Sequence, residues 1–212
     1  MKKILVVLFI VAPLYASAME AEFPALTGPV VDTTGVLRTN QVKGLAEKSL
    51  LLQREKGAQV AICIVNTTSP LPIEDYGIRL AEKWKIGRAG VDDGVIIIVA
   101  LQDRKMRIEV GYGLEPVITD LKAGRIIDLI MAPEFRKSNY YDGINMAMDA
   151  IAELVRGGEP AAFREYDAAM AQADSDLFTF SQKAGMVVLT AGILAFIVFM
   201  ALSRLLISLA VM

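Results

Sequence analysis

Two apolar runs joined by a short polar turn constrain this chain more than any other feature. Val95-Ile96-Ile97-Ile98-Val99-Ala100 stands between Asp92-Asp93-Gly94 and Leu101-Gln102-Asp103-Arg104-Lys105. A short β-branched run without a polar position, bounded by glycine and charge, has the pattern of a strand buried on both faces. Met106 to Val110 alternates instead, with Met106, Ile108 and Val110 on one face and Arg107 and Glu109 on the other, as a strand near a sheet edge does. The turn is too short for a crossover, so the two form an antiparallel hairpin. Asp92 and Asp93, which precede the first strand, therefore lie at the same end as Gly111-Tyr112-Gly113-Leu114-Glu115, which follows the second.

The preceding chain supplies a parallel partner. Residues 19–38 read as irregular, broken by Pro24, Gly28, Pro29 and Gly35. Thr39 is placed to cap a helix with Val42, Leu45, Ser49 and Leu52 on one face, stopping at Gly57. Val60 to Val65 reads as a strand, and Ile73 to Lys85 as a helix burying Tyr76, Leu80 and Trp84. Strand, helix and strand in this order imply a right-handed crossover, so Val60–Val65 runs parallel to Val95–Ala100. Downstream, Thr119 caps a helix from Asp120 to about Met131, ended by Pro133. A last helix from Ser138 or Asn139 buries Tyr141, Ile144, Met148, Ile151 and Val155 before Gly157-Gly158. The expected fold is a three-layer α/β/α domain on a short mixed sheet over residues 19–158.

The chain ends account for much of the 54% hydrophobic content. Lys2 and Lys3, the apolar run Ile4 to Val11 and the small residues Ala16-Ser17-Ala18 form the pattern of a cleaved signal peptide over residues 1–18. Residues 159–183 are alanine-rich and acidic and read as a tether. Within residues 184–212, Gly185 to Leu202 carries no charge and is long enough to cross a bilayer, giving a C-terminal transmembrane helix. An exported single-pass protein follows, its domain in the periplasm or extracellular space. A net charge of −2 gives no electrostatic footprint for nucleic acid, and zero histidines exclude histidine triads and histidine-ligated zinc. Cys63, the single cysteine, falls inside a strand and reads as a buried thiol.

Four carboxylates are expected around one sheet end: Asp92, Asp93, Glu115 and Asp120. Asp32 joins them if the segment before the first helix crosses that end. Such charges repel unless a cation or water separates them, and oxygen ligands favour calcium or magnesium. The alternative is structural, with Asp93 supporting the turn before Gly94 and Asp120 complementing a helix N-terminus. Tyr112, between glycines, is a candidate partner contact. No catalytic set is recognisable: the position six residues after Cys63 is Ser69, and Gly111-Tyr112-Gly113 lacks the third glycine of a nucleotide loop.

Trp84-Lys85-Ile86-Gly87, Asp92-Asp93-Gly94, Arg107 to Glu115, Thr119-Asp120 and Pro133-Glu134-Phe135-Arg136, in this order, resemble the TPM domain family, as does Val31 to Leu37 at the start of the domain. The resemblance spans about Val30 to Gly157. It implies an α/β/α domain outside the cytoplasm, often tethered to a membrane. Family members are linked to maintenance or modulation of membrane protein complexes, to calcium binding and to phosphatase activity. The resemblance tips the acidic cluster toward a cation site. The leading expectation is a membrane-tethered domain that assists a membrane protein complex; the alternative is a metal-dependent phosphatase with Arg107 or Arg125 on the phosphate.

Overall fold

A computed structural model describes residues 21–210. The signal peptide expected over residues 1–18 lies outside the described residues. The described residues form two units, divided between Gly158 and Glu159.

The domain holds one four-stranded sheet in the order β1-β2-β3-β4. The strands are β1 (Val30–Asp32), β2 (Gln59–Val65), β3 (Gly94–Ala100) and β4 (Lys105–Val110). β2 and β3 are parallel, with Gln59 opposite Gly94 and Val65 opposite Ala100. β3 and β4 are antiparallel, with Val95 opposite Val110 and Ala100 opposite Lys105. The hairpin and the crossover thus follow the periodicity of the sequence. The additional element is β1, parallel to β2 with Val31 opposite Cys63. Its Val30-Val31 pair is too short to show periodicity, and its strand character comes from docking on β2.

Side chains alternate across the sheet. One face carries Val31, Ala61, Cys63, Val65, Ile96, Ile98 and Ala100, packed against Ile73, Tyr76, Leu80 and Trp84 of α2 (Ile73–Trp84). The segment before β1 is bound onto α2: the Tyr76 hydroxyl donates to the Glu22 carbonyl at 3.0 Å and the Trp84 indole to the Pro24 carbonyl at 2.9 Å. The strap has no regular secondary structure, as its breakers lead one to expect, and these two bonds fix its course. On the other face, α1 (Thr39–Lys56) lies against β2 and packs with α5 (Tyr140–Arg156). Leu45 and Leu52 of α1 and Ile144, Ala147 and Ile151 of α5 are buried. Ser49, also buried, donates its hydroxyl to the Val60 carbonyl at 2.5 Å.

Helix ends differ in detail from the sequence reading. Arg38, not Thr39, is the N-cap of α1, because the Gln41 side chain reaches back to accept from the Arg38 N–H at 2.8 Å. Thr119 does cap α3 (Asp120–Arg125), accepting from the Lys122 N–H. Pro133 does not stop the helical path. The chain widens into a π-helical segment, Ile126–Met131, and re-enters an α-helix, α4 (Ala132–Arg136), with Pro133 in its first turn. There the proline ring and its missing N–H cost least. In the second unit, α6 (Ala161–Ala210) is one continuous helix through both the expected tether and the expected anchor. Its stretch Ala161–Phe196 is long and apolar enough, by length and composition, to cross a membrane.

Candidate functional site

The loop between α2 and β3 is organised around one carboxylate. Asp93 is 4% exposed. Its Oδ1 accepts from the Arg88 backbone N–H at 2.8 Å, and its Oδ2 accepts from Arg88 Nε at 2.7 Å and stands 2.6 Å from Nη2. Burial works to raise the Asp93 pKa, but the Arg88 hydrogen bonds and charge outweigh it and hold the carboxyl below its usual range. The Arg88 carbonyl accepts from the N–H groups of Val91 and Asp92 at 3.0 and 2.9 Å, closing the loop as a compact turn. Asp92 sits in the left-handed region at φ 55°. Gly94 is required by close approach, since a Cβ there would stand 2.2 Å from the Ile86 carbonyl oxygen.

The strand ends bring the loop after β4 against this turn, as the hairpin geometry demands. The Gly111 N–H donates to the Gly94 carbonyl at 2.7 Å and the Gly113 N–H to the Asp92 carbonyl at 3.1 Å. Tyr112–Leu114 then forms one 3-10 turn that buries Leu114 and leaves Tyr112 77% exposed. Val91, 45% exposed, lies on the neighbouring loop, and Leu121, 74% exposed, on the first turn of α3. Asp92, Glu115 and Asp120 are exposed in the same region of the chain path. The favourable field of Asp120 reaches Arg107.

The expected carboxylate set divides. Asp93 is committed to Arg88. Asp32 is at the other end of the sheet: it lies opposite Ile64, whose β3 partner is Val99, whereas Asp93 precedes Gly94. Its Oδ1 accepts from the Thr34 and Gly35 N–H groups at 2.9 and 3.0 Å and from the Thr34 hydroxyl at 2.6 Å, and its Oδ2 from the Leu37 N–H at 2.9 Å. It shapes the turn between β1 and α1. Among the described residues, no three acidic or thiol side chains form a ready-made metal group. Arg107 is ion-paired with Glu109, which raises the Arg107 pKa. Both lie on the α2 side of the sheet, because Arg107 is opposite Ile98 and Glu109 opposite Ile96. The sequence reading missed Arg88 and the exposed Val91 and Leu121. The signal for Arg88 was present: a lone cation between Gly87 and Gly90, five residues before a buried acid.

A four-stranded mixed sheet with helices on both faces defines a small α/β/α domain. The chain belongs to the TPM domain family, which matches residues 30–154, more than half of its 212 residues. It is similar to the N-terminal domain of a protein from P. gingivalis, at 28% identity and TM-score 0.58, over 62% of this chain and 83% of that one. The BA42 protein from the psychrophilic bacterium Bizionia argentinensis shares the fold at 17% identity and TM-score 0.51, over 58% of this chain and 84% of that one. No curated protein matches the chain.

Proposed function

We propose that this TPM domain is held at a membrane on the extracytoplasmic side by α6 and assists or modulates a membrane protein complex, meeting its partner through the loop end that carries Tyr112. The observation behind this reading is Tyr112 itself. A large aromatic 77% exposed on a turn tied down by backbone hydrogen bonds is costly to leave in water and well placed to anchor a contact. Val91 and Leu121 add apolar area, while Asp92, Glu115 and Asp120 supply an acidic rim. Calcium enters this reading as a ligand of the rim. Its flexible coordination, completed by water, suits separated carboxylates better than the strict octahedron of magnesium does.

The test is a photoreactive amino acid at position 112 of the full chain in its own membranes, with position 40, exposed on the first turn of α1 at the Asp32 end of the sheet, as control. A discrete adduct with an integral membrane protein at 112 and none at 40 is the expected result. The purified full chain in neutral detergent should show no efficient hydrolysis of a generic phosphoester. Turnover that is abolished by chelator would instead establish the metal-dependent phosphatase and overturn this reading. Calcium at about a hundredfold excess over its dissociation constant should stabilise the domain by about 2.7 kcal/mol. Asp92→Asn with Glu115→Gln should remove that gain, and a wild-type chain indifferent to calcium removes the cation from the proposal.

A further inference from the structure

The other end of the hairpin holds a feature unrelated to the Tyr112 loop. The β3–β4 turn and α4 border an open cavity of about 500 Å³ lined by the exposed Arg104, Lys105 and Arg136, with Met106, Phe135 and Tyr140 among its other walls. No acidic side chain lines it. Among the described residues, none of these three cations takes part in an ion pair. The adjacent carboxylate, Asp103, is directed to Thr68, accepting from its N–H at 2.8 Å and its hydroxyl at 3.3 Å, and only its field reaches Lys105. The lining therefore combines three cations with apolar and aromatic side chains, of which Phe135 and Tyr140 meet edge to face with ring centroids 5.1 Å apart.

The backbone around this cavity departs from regular geometry at several points. Arg104 (φ 53°) and Ser138 (φ 63°), two of its lining residues, are non-glycine residues in the left-handed region. The π-helical segment Ile126–Met131 ends where the lining residue Ala132 begins. Strained residues and π-bulges persist where the surrounding structure fixes them, and they concentrate at sites that bind.

We infer that this cavity binds an organic phosphate: a dianionic phosphoryl group among Arg104, Lys105 and Arg136, and an apolar or aromatic body against Met106 and Phe135. Guanidinium groups match phosphate oxygens with paired donors, and three cations suit a dianion better than the single charge of a carboxylate. The phosphoryl group comes either from a soluble phosphate ester or from a lipid headgroup. About six residues of strand, at about 3.3 Å each, separate this end of the hairpin from the Tyr112 loop. Binding here and recognition there stand or fall independently.

The test is calorimetric titration of the full chain, in a neutral sugar-headgroup detergent, with phenyl phosphate, inorganic phosphate and benzoate. Saturable one-to-one binding of phenyl phosphate is expected, tighter than that of either comparison ligand. Arg104→Gln and Arg136→Gln should each weaken it roughly tenfold at unchanged melting temperature. Phe135→Leu should weaken phenyl phosphate but not inorganic phosphate. Dihexanoyl phosphatidic acid below its micelle concentration separates the sources: competition assigns the site to a lipid headgroup, and its absence to a soluble ester. The inference is overturned if phenyl phosphate does not saturate, if benzoate binds equally well, or if Arg54→Gln, outside the cavity, weakens binding as much as the pocket variants.

Discussion

Replacing Asp93 by asparagine tests how the loop before β3 is held. Asparagine keeps an oxygen for the Arg88 N–H but loses the charge that faces the guanidinium, and turns an NH2 donor toward Arg88 donors. A hydrogen bond to a charged group contributes about 1.5–3 kcal/mol. The Arg88 side chain is 53% exposed, so solvent screens part of its interaction. The expected net loss is about 2 kcal/mol, or a drop of roughly 6–10 °C in melting temperature for a domain of this size. Trp84 is the assay: it is the single tryptophan, it is buried, and its indole is bonded to Pro24, so its fluorescence follows this domain in the full chain. The pH dependence has a definite sign. The folded Asp93 pKa lies below its unfolded value, near 3.9. Its stabilisation is therefore complete above about pH 3.9 and fades as pH falls through the lower folded value. Wild type and Asp93→Asn should differ by a constant amount from neutrality to about pH 5 and converge below about pH 4. A variant that melts within about 1 °C of wild type at neutral pH refutes the ion-pair account.

Gly94→Ala should be far more damaging than its single methyl group implies, because the added Cβ would meet the backbone oxygen of Ile86 at 2.2 Å, with no side chain free to move away. A loss of about 3 kcal/mol or more, or failure to accumulate folded chain, is expected by urea titration, while Gly28→Ala, whose Cβ meets nothing within 4 Å, should melt near wild type. Cys63 is 0% exposed and burial pushes its thiol up to about 12. Iodoacetamide should label it only in denaturant, and labelling of the native chain at the rate of a free thiol would show that the sheet face packed on α2 opens locally.

The central sheet was legible in the sequence because its signals are local. Val95–Ala100 and Met106–Val110 differ in period, and that difference alone orders the β2–β3–β4 part of the sheet. β1 was not legible: two valines carry no period, and their strand state depends on a partner about thirty residues away in sequence. The same limit hid the strap of Glu22 to Pro24, whose ordering comes from hydrogen bonds donated by Tyr76 and Trp84. Pro133 misled for a physical reason. Proline forbids an ordinary helical hydrogen bond, but a π turn just before it lets the helical path continue. At the candidate site, hairpin geometry correctly joined Asp92 and Asp93 to the Tyr112 loop. It could not tell a carboxylate turned to solvent from one turned inward, and Asp93 is turned inward to Arg88. Asp32 fell at the opposite end because the run of β1 fixes its position, and β1 itself was invisible.

β3 also bears on solubility. Its heptapeptide Gly-Val-Ile-Ile-Ile-Val-Ala is buried along its whole length and has the composition of a segment that stacks into cross-β fibrils when bared. β2 shields one side of it and β4 the other. Asp92 and Asp93 precede it, and Asp103, Arg104 and Lys105 follow, placing charge at both ends of the dangerous run. β4 is reached through a turn of only a few residues, so it can re-cover the strand quickly after a local opening. The edge strand thus serves as a fast-closing guard over the most aggregation-prone segment of the domain, and substitutions that loosen β4 will show as lost solubility before they show as lost secondary structure.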